Sequence, residues 1–272
     1  MTTKLPQGGF FGRVVNSQKV ADFLLNETVN RPGLKIPKHS HENSYFCLVL
    51  RGTFKEVYGT QTRLCSPLTF AIHPPDELHS EEIGNRISSS FNIEICRGWL
   101  ARMRQYSVHL DSPAHFQGGP VANLALKLYR EYHMMDSVSP LAIEGLILEI
   151  IAEISRQLKS DKTKAPQWLS RVREILHDCF ADGISLDEIA TTVDIHPVHL
   201  AASFRQHYRC TVGEYIRQLR LECACRELAQ SNKSLAQIAV TAGFVDQSHL
   251  SRTLKNMMGI TPAQYRSRIR LN

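Results

Sequence analysis

Ser234-Leu-Ala-Gln-Ile-Ala239 runs on into Val240-Thr-Ala-Gly-Phe-Val-Asp-Gln-Ser-His-Leu-Ser-Arg-Thr-Leu-Lys255: a short periodic stretch, a glycine turn and a longer periodic stretch. Ser234 is placed to cap a short helix, Gly243 takes a positive φ without Cβ strain, and Phe244 is an apolar plug. Asp246 then caps a longer helix whose apolar side is Leu250, Leu254 and Met257. Its other side shows Gln247, Ser248, His249, Arg252 and Lys255. The pattern occurs twice. Ser185-Leu-Asp-Glu-Ile-Ala190 aligns with Ser234–Ala239, and His199-Leu200, Phe204, Thr211 and Tyr215 align with His249-Leu250, Leu254, Thr261 and Tyr265. The offset is 49 before the turn and 50 after it, so the second turn holds one additional residue. The repeat predicts two copies of one tri-helical unit.

Between the copies, Val212-Gly-Glu-Tyr-Ile-Arg-Gln-Leu-Arg-Leu-Glu-Cys-Ala-Cys-Arg-Glu-Leu228 reads as one helix of about 16 residues, roughly 24 Å long. Such a rod can hold two heads at a fixed separation, and adjacent major grooves on one face of a duplex lie about 34 Å apart. Amide, hydroxyl, imidazole and guanidinium groups near a helix N-terminus suit the hydrogen-bonding edges of bases. Gln247, Ser248, His249 and Arg252 are therefore candidate base contacts. In the first copy the same places fall on Val198, Ala201 and Ala202, which can touch a thymine methyl but make no bidentate hydrogen bond. The first helix is expected to read weakly or by groove shape. Arg205, Arg217, Arg220 and Lys255 are the candidate phosphate contacts.

The stretch Ala239-x-x-x-Gly243-Phe244-x-Asp246-Gln247-Ser248-x-Leu250-Ser251-Arg252-x-Leu254-Lys255-x-x-x-Gly259-x-Thr261-Pro262-x-x-Tyr265-Arg266 resembles the signature of the arabinose-regulator (AraC/XylS) family of bacterial transcription factors. The resemblance covers about residues 167–270. It implies a monomeric DNA-binding module with two helix-turn-helix units, with base contacts on Gln247, Ser248, His249 and Arg252. It also implies a sensory or dimerisation domain in front.

The texture of the chain ahead of that module agrees. From about residue 10 to 98 it is rich in Val, Ile, Thr, Phe and Tyr, broken by Gly and Pro. Phe46–Leu50, Thr53–Tyr58 and Ser88–Ile95 read as strands of an all-β barrel or sandwich. Two helices follow over about 118–158, carried by Val121, Leu124, Ala125, Leu128, Tyr129 and Tyr132 and by Ile143, Leu146, Ile147, Ile150, Ile151, Ile154 and Leu158. They cover one side of the barrel, and a sharper reading adds that they also pair with a second protomer along an apolar seam. The expected division is a multi-domain α and β chain: a front domain over 1–160, a linker over 161–166 and an all-α domain over 167–272.

Within the barrel, Gly33-Leu-Lys-Ile-Pro-Lys-His39-Ser-His41 and Pro74-Pro-Asp-Glu-Leu-His79 resemble the two motifs of the cupins, in which histidines and a carboxylate hold a divalent metal. This chain has Tyr45 where that pattern wants glutamate. The expectation is accordingly an effector pocket lined by His39, His41, Tyr45 and His79, with no bound metal, no cofactor and no catalytic residues. His73 is set apart as structural. A metal-dependent cupin enzyme carrying a DNA-binding tail is the alternative function.

Composition bounds these readings. The 272 residues are 43 % hydrophobic and 21 % charged, ordinary for a globular chain and unlike a disordered one. No apolar run reaches the roughly 18 residues of a membrane span, and the first residues lack the apolar stretch of a secretory signal. Seven cysteines without a Cys-x-x-Cys pair suit reduced thiols and a cytoplasmic location. The excess of 32 Lys and Arg over 26 acids permits a nucleic-acid partner without requiring one. The expected partners are double-stranded DNA and a small-molecule effector, with RNA polymerase and a second copy joined through the front domain as further candidates.

Overall fold

Ser88-Ser-Ser-Phe-Asn-Ile-Glu-Ile95 alternates polar with apolar residues, and the strand it forms is buried on both faces. Phe91, Ile93 and Ile95 join a core shared with helices, while Ser90, Asn92 and Glu94 face the other way. In this computed structural model, which describes residues 2–106, 110–160 and 166–270, that division between two faces organises the whole N-terminal half. The strands are β1 (Thr3–Leu5), β2 (Arg13–Val20), β3 (Phe23–Asn30), β4 (Lys35–His41), β5 (Ser44–Arg51), β6 (Phe54–Tyr58), β7 (Gln61–Cys65), β8 (Thr69–His73), β9 (His79–Ile83), β10 (Ser88–Ile95) and β11 (Ala114–Gln117).

They pair as two sheets, one in the order β1-β4-β9-β6-β7 and one in the order β11-β8-β5-β10-β3-β2. All ladders are antiparallel except β1 on β4. Among the described residues no ladder joins the sheets. The expected barrel is thus an open pair of sheets, held face to face by side chains such as Tyr45, Cys47 and Val49 against Ile36, Phe54 and Ile83. The opposite face of the six-stranded sheet carries Phe46, Leu48, Phe91 and Ile93 into the core beneath the helices.

Those helices are α1 (Arg97–Met103), α2 (Gly119–His133) and α3 (Ser139–Ser160). The periodic residues Val121, Ala125, Leu128, Tyr129 and Tyr132 of α2, and Ile143, Ile147, Ile150, Ile151 and Ile154 of α3, are buried as their spacing predicts. Helix α1, under which Trp99 packs edge-on against Phe23, has no counterpart in the sequence reading. Most of the expected linker, residues 161–165, lies outside the described residues.

The C-terminal half is helical: α4 (Gln167–Cys179), α5 (Leu186–Thr192), α6 (Pro197–Tyr208), α7 (Val212–Gln230), α8 (Leu235–Thr241), α9 (Gln247–Met258) and α10 (Pro262–Arg270). Ser185 and Ser234 cap α5 and α8 in matching capping boxes with Glu188 and Gln237, and Thr211 does the same for α7 with Glu214. Four residues, 193–196, separate α5 from α6, and five, 242–246, separate α8 from α9, which is the additional residue of the second copy. The first turn places Asp194 at φ 54° where the second has Gly243 at φ 76°.

The copies differ in what they pack against. Leu169, Val172, Leu176, Ile189, Leu200, Phe204, Val212 and Leu219 form a core of their own around the first. The second is continuous with the N-terminal core: Leu221, Ala224, Cys225, Leu228, Ile238, Leu250, Leu254, Met258 and Tyr265 share one cluster with Phe46, Phe91 and the inner residues of α2 and α3. Tyr265 Oη donates to the carbonyl of Leu50 at 2.8 Å, and the Gly119 amide donates to the Gln218 side chain.

The second turn is tightly built. A Cβ on Gly243 would stand 2.6 Å from Ala181 Cα and 2.8 Å from its carbonyl oxygen, in addition to the left-handed backbone. Gly243→Ala is therefore expected to destabilise the protein by about 2 kcal/mol or more, whereas Gly59→Ala, at positive φ in open space, costs about 1 kcal/mol. Thermal denaturation of the two variants checks this, and equal losses would show that the turn has room.

Candidate nucleic-acid interface

Helix α9 is built to show one side. Its cap is the Asp246 carboxylate, which accepts from the His249 amide at 2.6 Å, and it ends at Gly259 in the left-handed conformation. Leu250, Leu254 and Met258 are buried, and Met257 is partly buried against the same core. Gln247, Ser248, Arg252 and Lys255 are exposed on the other side. His249 is half-buried and meets the Phe244 ring edge-on, with centroids 5.2 Å apart, so its imidazole also braces the turn. Two apolar residues that spacing did not single out are exposed nearby in sequence: Val245 in the turn before α9, 84 %, and Val240 in α8, 72 %.

Helix α6 shows the same plan with different chemistry. Leu200 and Phe204 are buried, while Val198 is 71 % exposed and Ala202 is exposed beside a half-buried Ala201. Ala201, Ala202 and Arg205 line a groove of about 470 Å³ whose far wall is Val212, Gly213 and Ile216 of α7. His199 packs edge-on to Trp168, with centroids 5.8 Å apart. Of the candidate phosphate contacts, Arg205, Arg217 and Lys255 are exposed. Arg220 departs from expectation: it is half-buried, and its Nε donates to the Phe180 carbonyl at 2.8 Å. That bond ties α7 to the residue that follows α4.

The residues expected to line an effector pocket do converge, between the two sheets. His39 and His79 face each other across the β4–β9 ladder with ring centroids 4.3 Å apart, and His41 lies 4.5 Å from the Tyr45 ring. Tyr45 stacks on His73 at 4.3 Å and its hydroxyl lies 3.1 Å from His79 Nε2. His73 thus belongs to the cluster. So do Glu56 and Arg63, a buried ion pair from β6 and β7; Glu56 Oε1 lies 3.4 Å from His73 Nδ1. The alternation of Phe54-Lys-Glu-Val-Tyr58 places Glu56 on the same inward face as Phe54, the signal that would have found it.

Burial keeps these imidazoles neutral: His41 and His79 are held down to about 3, and His73 is pushed well below the ordinary value. The Nδ1 atoms of His39 and His79 lie 2.9 and 3.3 Å from the carbonyls of Pro37 and Glu77, which leaves each Nε2 as the acceptor. Two triads, His39–His41–His79 and Glu56–His73–His79, each bring ligand atoms within 4.8 Å of one another, so neutral donors for a transition metal are assembled. The adjoining hollow, closed by Phe10 and Phe11, holds about 30 Å³, room for an ion or a water.

Residues 189–268, from α5 into α10, match a family described as a helix-turn-helix domain. Over 85 residues the chain is 35 % identical to the probable transcription factor PqrA of Proteus vulgaris, an alignment covering 31 % of this chain and 70 % of PqrA. It is 23 % identical over 248 residues to the transcriptional activator RhaS of Pectobacterium carotovorum, covering 86 % of this chain and 89 % of RhaS. With the Msm operon regulatory protein of Streptococcus mutans it shares 24 % identity over 143 residues, and there the chain spans about half the relative's length, 51 %. Among the described residues no helix is long and apolar enough to cross a membrane. The matched residues run from within α5 through α6 to α9, and the chain belongs to the AraC/XylS family of DNA-binding transcriptional regulators.

Proposed function

We propose that the chain is a sequence-specific regulator in which α5–α6 and α8–α9 are two helix-turn-helix units, with α6 and α9 the reading helices and α7 the rod between them. The observation that carries this is the exposed row Gln247, Ser248 and Arg252 at the start of a helix whose opposite side is wholly buried. Hydrogen-bonding groups held on a rigid N-terminal turn are what major-groove reading requires. At 19 residues α7 is about 28 Å long, close to the rise between successive grooves on one duplex face. The division into a front domain over 1–160, a linker over 161–166 and a DNA-binding domain over 167–272 belongs to this reading.

Control by a small-molecule effector completes it. The hollow beside His39, His41, Tyr45 and His79 has room for an ion or a water as it stands, so an organic effector calls for one of the larger cavities.

Binding of the intact protein to a duplex recovered by selection from random sequence should weaken steeply as salt rises, because phosphate contacts release counterions. Absence of any salt-sensitive binding would remove the central claim. On the selected duplex, Arg252→Ala should cost about 1–3 kcal/mol and relax preference at one base pair. Val198→Ala should cost clearly less, since at most a methyl contact is lost. Lys255→Ala should weaken binding to all sequences alike, as a phosphate contact does. If Arg252→Ala instead acts equally on every sequence while Val198→Ala changes base preference, the roles of the two helices are reversed.

A further inference from the structure

Glu56 and His79 stand on β6 and β9 of the five-stranded sheet, and His73 stands on β8 of the six-stranded one. Their ligand atoms lie within 4.8 Å of one another, and all three residues are nearly inaccessible. Glu56 Oε1 and His73 Nδ1 have no hydrogen-bond partner of good geometry and are 3.4 Å apart. Two ligands of a tetrahedral zinc ion, each at about 2.0–2.2 Å, are likewise separated by about 3.4 Å. We propose that Glu56, His73 and His79 bind a divalent transition-metal ion of zinc type, which ties the two sheets together from inside.

The surroundings of each donor suit that role. Arg63 donates to the other oxygen of Glu56, so Oε1 is held toward His73. Arg63 Nη1 also donates to the Ala114 carbonyl at 3.2 Å, while Nη2 lies a longer 3.4 Å from His73 Nε2. That nitrogen carries the His73 proton when Nδ1 is a ligand. His79 Nδ1 faces the Glu77 carbonyl at 3.3 Å, which leaves its lone pair on Nε2. Outer partners of this kind orient the ligands of metal sites. The buried Tyr45 hydroxyl, 3.1 Å from His79 Nε2, is placed to complete four-coordination, directly or through a water.

The charge in this interior favours a cation. Glu56 stands opposite Glu81 in the β6–β9 ladder, and like charges in that position repel. Among the described residues the cation that acts on both is Arg63. Two inward carboxyl groups thus face one guanidinium, and in the metal-free interior one of them bears uncompensated charge or holds a proton. The neighbouring triad His39–His41–His79 offers three imidazoles and no charge, and it shares His79, so one ion satisfies one triad. Tyr45 stands where the cupin pattern has its glutamate. Here the carboxylate enters from β6, outside both motifs, and the metal-free pocket expected from Tyr45 is replaced by a site with its own charge.

The intact protein, purified without added metal, is assayed for bound elements, stripped with a chelator and titrated with Zn²⁺ and with Co²⁺. It should hold about one equivalent, and stripping should lower a melting temperature that Zn²⁺ restores. Co²⁺ should give the visible absorption bands of a four-coordinate site. His73→Phe should weaken Zn²⁺ binding by at least the roughly 10–100-fold that loss of an outer partner costs. The double variant Glu56→Gln with Arg63→Gln should do the same. It removes the ion pair as a unit, leaves no lone buried charge, and keeps the test intact if His73→Phe does not fold. His41→Ala, outside the set, should keep its equivalent. The proposal is overturned if neither Zn²⁺ nor Co²⁺ raises the melting temperature of stripped protein, or if the variants at 73 and at 56 with 63 bind Zn²⁺ like the parent. It is also overturned if His41→Ala loses the ion as fully as His73→Phe, which would place it on the histidine triad.

Discussion

Helix α7 is buried in two cores at once. Val212 and Leu219 serve the core of the first helix pair, and Leu221, Ala224, Cys225 and Leu228 serve the one that runs on into the six-stranded sheet. Each fully buried Leu contributes about 1.5–3 kcal/mol, so α7 is held by both cores. Helices α6 and α9 both pack against this rod. Where they stand relative to each other follows from α7, and where α9 and α10 stand relative to the sheets follows from α7 together with Tyr265 and Leu50.

The interior between the sheets contrasts with that apolar seam. His39, His41, His73, His79, Glu56 and Arg63 are all nearly inaccessible. A buried ion pair recovers its desolvation only when its remaining atoms are satisfied, and Glu56 Oε1 and His73 Nδ1 have no hydrogen-bond partner of good geometry. This polar layer is therefore a weak source of stability. The two sheets are held together by the apolar residues beside this layer, Ile36, Val49, Phe54 and Ile83, while Phe23, Phe46, Phe70 and Phe91 fasten the six-stranded sheet to the helices on its other face.

What was legible in the sequence was what local rules determine. Ser185, Ser234 and Thr211 cap because a hydroxyl followed three residues later by Glu or Gln has few better uses, and Gly243 marks its turn because other residues pay for positive φ. The inward row of α3 follows from the 3.6-residue period. Pairings between distant strands carry no such local mark, so a closed barrel and two open sheets read alike until β7 and β2 are seen without closing partners. The bond from Arg220 to the Phe180 carbonyl was not legible, because helical spacing alone does not show a partner forty residues away. The fusion of the second helix pair with the front core rests on Leu221, Cys223, Ala224, Cys225 and Leu228, buried beside the polar Glu222, Arg226 and Glu227, and no local rule says which neighbour covers them.

The separate core of α4–α6 gives the chain two units of unequal tenacity. Backbone amides there are protected only by the residues around Leu200 and Phe204, whereas those of α8 and α9 share the protection of the sheet and of α2 and α3. In the exchange of amide hydrogens with solvent, α4–α6 forms the smaller cooperative unit, which opens while the remainder stays closed. The helix pair α5–α6 can therefore lose and regain its shape on its own, and α8–α9 does so only together with the larger core.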